Sequence, residues 1–200
     1  LIDNGELPGV SLEPEYGRNY PNKGLASHVL GFVGTDNVGL DGIELIHEQT
    51  LSPKTDNGNT MRYGNQLFLT LDLNIQYMAE NIAEKAYEEH DAEGVTVLVM
   101  DAKNGEFLGW ASSPDFDPNR FVEAEREQKR NRPLSTAYEP GSVFKVFSIA
   151  GLIELGGIGP ESTFFCDGAY EREFSDDETV VINCLGRHVE VHAKEILQYF

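Results

Sequence analysis

The sequence predicts an α+β fold in two parts, and three observations predict it. The first 65 residues are broken at short intervals by turn formers, residues 95–111 read as a β-hairpin, and helical patterns precede and follow that hairpin along the 200-residue chain. In the first part, Asn4-Gly5, Pro8-Gly9, Pro21-Asn22-Lys23-Gly24, Asp41-Gly42 and Asn57-Gly58 interrupt short apolar runs such as Val29-Leu-Gly-Phe-Val33. Punctuation of that density suits short strands and loops, not long helices, so residues 1–65 are expected to be β-rich. The polar stretch Ser52-Pro-Lys-Thr-Asp-Asn-Gly-Asn-Thr60 reads as a loop or linker, and the domain boundary is placed near it, giving residues 1–65 and 66–200.

In the second part Gln66-Leu-Phe-Leu-Thr70 reads as a strand and residues 72–89 as a helix. Ile75, Met78, Ala79, Ile82 and Ala86 recur at helical spacing and are expected to form its buried stripe. Val95-Thr-Val-Leu-Val-Met100 and Glu106-Phe-Leu-Gly-Trp-Ala111 are β-rich runs around Asp101-Ala-Lys-Asn-Gly105, whose Asn-Gly step signals a hairpin. They are expected to be two strands of a larger sheet, with Trp110 as a packing residue. Residues 113–119 read as a loop and the charged residues 122–130 as a solvated helix. Residues 143–155 are almost wholly apolar, with Pro140-Gly141 ahead of them and Gly156-Gly157 as the stop. A helix apolar on nearly every side is expected to be buried at the centre of a domain. The chain opens on Leu1 and ends in Glu195-Ile-Leu-Gln-Tyr-Phe200, which reads as an unfinished helix, so a fragment is expected.

Lys and Arg total 15 against 34 Asp and Glu, a net charge of −19. Such a chain lacks the clustered cations that bind phosphate backbones or anionic lipid surfaces. It also has no apolar run of 18 or more residues that would span a bilayer, and its first residues do not read as a signal peptide.

The polar exceptions at the start of the apolar helix are Ser142 and Lys145. Residues three apart share a helix face, so the lysine amine can fold back toward the serine hydroxyl. A hydroxyl needs a base within hydrogen-bond reach to become a nucleophile. A lysine serves as that base when burial lowers its pKa from about 10.4. The helix N-terminal amides favour negative charge developing beside the serine. Against this stands a plainer reading, a serine N-cap with a lysine reaching out to solvent.

Tyr138-Glu-Pro-Gly-Ser-Val-Phe-Lys145, preceded by Asn131-Arg132, resembles the active-site SxxK segment of penicillin-binding proteins, acyl-serine transpeptidases of peptidoglycan. Leu69-Thr-Leu-Asp72 with Ile75-Gln76, the hairpin from Val99 to Pro114, and Phe116-Asp-Pro-Asn119 are similar to the start of that transpeptidase domain, in the same order. Arg18-Asn-Tyr-Pro21, Ala26-Ser-His-Val-Leu-Gly-Phe-Val-Gly34 and Gly39-Leu-Asp-Gly-Ile-Glu44 look like the pedestal, or dimerisation-type, domain of the class B members. The resemblance implies a pedestal fragment followed by an incomplete transpeptidase domain of the serine β-lactamase-like fold. It implies that Ser142 attacks the penultimate D-Ala carbonyl of a stem peptide, that Lys145 takes the proton, that the Ser142 amide supplies half of an oxyanion hole, and that β-lactams acylate Ser142. No cofactor is implied. The implied setting is the periplasmic side of the cell membrane, through an anchor this chain lacks, with a membrane glycan polymerase as a pedestal partner.

The family's SxN and KTG motifs do not appear. Lys54-Thr55-Asp56 shares two letters with KTG but precedes the SxxK and lacks the glycine. The isolated chain is therefore expected to be inactive toward penicillins. A non-catalytic interaction module or β-lactam sensor, and a serine β-lactamase, are the competing functions.

Cys166 and Cys184 permit a disulfide, two separate thiols or, with His188 and His192, a zinc site, although paired CxxC spacing is absent. A Cys184–His188 nucleophilic pair has no supporting signature. Asp176-Asp177-Glu178 with Glu171 and Glu173 reads as a solvated acidic loop before a cation site.

Overall fold

The computed structural model describes residues 17–55, 61–175, 178–184, 186 and 189–199. The turns expected at Asn4-Gly5, Pro8-Gly9 and Asn57-Gly58 lie outside them. The chain forms two compact units, Leu1–Thr136 and Ala137–Phe200.

The first unit opens with local helices where short strands were expected: α1 (Ser27–Leu30), α2 (Gly42–Ile46) and α3 (Glu48–Leu51). Strand pairing among residues 17–55 is limited to a bridge between Val33 and Gly39, and to β1 (Lys54–Thr55) against β2 (Met61–Arg62). Turn formers here close single helical turns. Asp41, for example, precedes α2 with its carboxylate accepting the Gly42 N–H at 2.8 Å.

The long helix forms as α4 (Leu73–His90). Asp72 caps it, Oδ1 accepting the N–H groups of Asn74 at 2.9 Å and Ile75 at 3.0 Å. Its buried face differs from the expected stripe. Gln76, Ala79 and Ala83 are buried, while Met78 and Ile82 are 57 % and 58 % exposed. The reason is close approach. Small residues let α4 press on the hairpin of β3 (Val95–Met100) and β4 (Phe107–Ser113), where Ala79, Ala83 and Ala111 form the core with Val95 and Val97. Gly109 helps, since a Cβ there would stand 3.2 Å from Ile75 Cγ2.

β3 and β4 pair antiparallel, Val95 opposite Ser113 and Leu98 opposite Trp110, as the Asn-Gly signal predicts. Among the described residues they form a two-stranded sheet. Residues 66–70 do not form a strand. They hold the β4 side through the Thr70 hydroxyl, which donates to Phe107 O at 2.6 Å, and the next backbone bond is Asp72 N–H to Leu108 O. Residues 122–130 form turns in place of a helix. Their polar groups are spent on tertiary contacts: Gln128 O meets the His28 ring at 2.7 Å, and the Lys129 ammonium donates to Phe121 O at 3.1 Å. A short α5 (Arg132–Ser135) ends the unit.

In the second unit a 3-10 turn, Gly141–Phe144, leads into α6 (Lys145–Glu154), which stops at Gly156-Gly157 as expected. Burial of this helix is not observed. Val146, Phe147 and Leu152 are exposed, Phe147 by 68 %. An all-apolar surface needs cover on every side, and the described residues provide none that closes over these side chains. β5 (Thr163–Cys166) pairs with β8 (Val189–His192), and β6 (Ala169–Ser175) with β7 (Glu178–Asn183), both antiparallel. The unit ends in α7 (Ala193–Tyr199), where Glu195 Oε2 accepts the His192 N–H at 2.7 Å.

Candidate active site

Ser142 sits in the 3-10 turn and Lys145 is the first residue of α6, its N–H donating to Ser142 O. This backbone bond holds the two residues on one turn. Both side chains belong to residues lining one cavity of about 930 Å³. Ser142 is exposed and Lys145 half-buried. The rest of the lining includes Cys166, the start of β6 with Tyr170, and the end of β7 with Ile182 and Asn183. A serine and a lysine that line one space suit acyl transfer, and the cavity has the size of a small-molecule or peptide site. Cys166 and Cys184 are half-buried thiols of that lining.

The remaining metal candidates do not gather. His192 lies at the far end of β8, paired with Thr163 while Cys166 pairs with Val189. His188, Asp176 and Asp177 lie outside the described residues. Among the described residues no three His, Cys, Asp or Glu side chains converge on a metal position.

Glu80, Asp115, His28 and Tyr20, all in the first unit, are shifted from their ordinary values. Desolvation pushes Glu80 above the usual carboxylate range, opposed by hydrogen bonds from the Ala26 N–H and the Gln76 amide, each 2.7 Å long. Burial likewise raises Asp115 and lowers His28. Tyr20 is raised by burial and then by the Glu44 carboxylate, to which its hydroxyl donates at 3.3 Å. Glu44 also takes two bonds from the Arg18 guanidinium, at 2.9 and 3.0 Å. A cavity of about 690 Å³ beside this pair includes Arg18 and Glu44 in its lining, and on the same lining the Ser52 hydroxyl donates to the Glu48 carboxylate.

The side-chain roles of three residues escaped the sequence reading. Gln76 bonds both backbone groups of Trp110: its Oε1 accepts the N–H at 2.7 Å and its Nε2 donates to the carbonyl at 2.8 Å. Asn119 does the same for Tyr20, at 2.9 and 2.8 Å. Asn131 accepts from the Trp110 indole at 3.2 Å and donates to His28 O at 2.9 Å. Gln76, Asn119, Asn131, Arg18 and Glu44 all fall in the segments that carry the family resemblance. Their side-chain roles account for those segments without assigning them to catalysis.

Comparison with known proteins bears directly on this arrangement. Residues 95–189 match the family described as penicillin binding protein transpeptidase domain, and residues 3–67 the penicillin-binding protein dimerisation domain. The chain belongs to the penicillin-binding proteins. Its dimerisation segment ahead of a transpeptidase segment makes it one of the class B members.

It is 36 % identical over 169 residues to the probable peptidoglycan D,D-transpeptidase PenA of Neisseria meningitidis, covering 75 % of this chain and 29 % of that protein. It is 36 % identical over 163 residues to the probable peptidoglycan D,D-transpeptidase FtsI of Caulobacter vibrioides, covering 82 % and 27 %. Among solved structures it resembles penicillin binding protein 3 of Mycobacterium tuberculosis, with TM-score 0.74 and 28 % identity over 86 % of this chain and 38 % of that one. That protein has also been solved with aztreonam and with ampicillin. The chain thus spans less than a third of the length of these curated relatives.

Proposed function

We propose that this chain is part of a peptidoglycan D,D-transpeptidase in which Ser142 is the nucleophile and Lys145 its base. Lys145 takes the hydroxyl proton as Ser142 Oγ bonds to the penultimate D-Ala carbonyl carbon of a stem peptide. The peptide C–N bond then breaks, terminal D-Ala leaves with a proton, and the acyl group passes to an amine of a neighbouring strand, freeing the serine. The Ser142 amide is one oxyanion donor. β-Lactams acylate the same oxygen by ring opening. The observation that carries this reading is the Ser142–Lys145 turn opening on one cavity, and the family's named activity supports it. The reading divides the chain into a pedestal, residues 1–65, and a transpeptidase segment, residues 66–200. It sets the protein on the outer side of the cytoplasmic membrane, where peptidoglycan is assembled.

Labelling of the full gene product with a fluorescent penicillin, followed by peptide mapping, tests it. Label on the Ser142 peptide, lost in Ser142→Ala, is expected. Label on another residue, or labelling that persists in the variant, overturns the assignment. Rapid turnover of nitrocefin would favour a β-lactamase.

A second reading, docking of the pedestal to a membrane glycan polymerase, draws support from Ile46 and Tyr63, which are 76 % and 82 % exposed. Cross-linking that survives Ser142→Ala in cells would favour it.

A further inference from the structure

The chain has two cysteines, and both line the cavity that holds Ser142 and Lys145. Cys166 closes β5 and Cys184 follows β7. Ala169 pairs with Asn183, and the Cys184 N–H donates to Gly168 O at 2.9 Å, so the ladder runs one residue beyond the strands. Cys166 therefore stands two residues from the residue that faces Cys184. A disulfide needs roughly 4.4–6.8 Å between its two Cα atoms, a span within reach of two residues of chain.

Gly168, between them, holds φ at 102°, a backbone region in which glycine is at ease and which lets the link to Cys166 turn. The closure draws together two residues that line the same cavity as the candidate nucleophile. Both residues are half-buried, within reach of a small oxidant.

We propose that Cys166 and Cys184 are a redox pair, and that a disulfide between them tightens this lining and slows acylation of Ser142. The inference rests on the reading of Ser142 as the nucleophile. The oxidant is a low-molecular-weight disulfide such as oxidised glutathione. One protein thiol loses its proton, and its sulfur displaces one glutathione, forming a mixed disulfide. The second protein thiolate then attacks the protein sulfur of that bond and expels the other glutathione. Two protein thiols and one disulfide become one protein disulfide and two glutathione thiols.

The test treats the full gene product with oxidised glutathione or with dithiothreitol. It reads intact mass and alkylatable thiols beside the rate of fluorescent-penicillin labelling. Displacements of about 1 Å cost up to roughly a hundredfold in well-aligned sites, so a tenfold or greater slowing is expected. It should accompany loss of both thiols as one internal bond and reverse on reduction. The double variant Cys166→Ala/Cys184→Ala should label at one rate under both conditions. Glutathione adducts on each cysteine without an internal bond, or equal labelling rates of the oxidised and reduced protein, overturn the proposal, and the wild-type readouts decide this even if the variant fails to fold. Reduced protein that takes no label at Ser142 overturns the reading of the serine instead, while the mass measurement still reports on the thiol pair.

Discussion

Replacing Gln76 by Ala removes the side chain that joins α4 to the open edge of β4. Gln76 is 2 % exposed and makes three hydrogen bonds, two to the Trp110 backbone and one to Glu80. At about 1 kcal/mol net for each, the loss is about 3 kcal/mol. With a urea slope of about 2 kcal/mol per molar, that moves the unfolding midpoint of the first unit by about 1.5 M. Trp110 is the single tryptophan of the chain and stands at the altered site, so its fluorescence reads this transition directly. Gln76→Met separates bonding from packing, because it keeps the volume and removes every polar atom. It should lose most of the same stability, since the Trp110 N–H and carbonyl are left without that partner. A Met variant as stable as the wild type would refute the reasoning and leave α4 held by its alanines alone.

Glu80 and Asp72 give two further tests. Glu80 is raised above 4.5 by burial. Between that value and its higher folded pKa the folded state therefore holds more protons, and stability falls as pH rises through the window. Glu80→Gln keeps an oxygen for the Ala26 and Gln76 donors without a buried charge, so urea midpoints measured from pH 4 to pH 8 should decline less with pH. An unchanged slope counts against the assignment. His28, lowered below 6.5 by burial, works in the opposite sense, losing stability as pH falls below that value. Asp72→Ala should cost about 1 kcal/mol through the lost α4 cap, with Asn or Ser restoring most of it; an Asn variant as unstable as Ala in the same fluorescence assay would contradict the capping role.

Local signals made much of the fold legible. Asp72 and a helical period mark α4, Asn104-Gly105 marks the β3–β4 hairpin, and Gly156-Gly157 marks the end of α6, because caps and turns are decided within a few residues. What covers each element is decided at long range. Met78 and Ile82 look like core, yet alanines give the closer approach, and Gln76 is buried because the edge of β4 needs a donor and an acceptor. The apolar α6 reads as central, and no neighbour within the described residues closes over it. Residues 66–70 alternate too little to compel pairing and instead attach to β4 through Thr70. Ser142 and Lys145 were legible as a spacing. The rest of the cavity lining was not, because β5 pairs with β8 past an intervening hairpin and no short-range pattern announces that partner.

The flanks of α6 that no described residue closes over also have a colloidal consequence. Copies of this chain carry a net charge of −19, which holds them apart in dilute electrolyte. Raising the salt from about 0.01 M to 0.15 M shortens the reach of that repulsion from about 30 Å to about 8 Å, while the greasy contact between two such helices is hardly weakened. Whether molecules in a tube stay dispersed or clump is then set by the buffer as much as by the polypeptide.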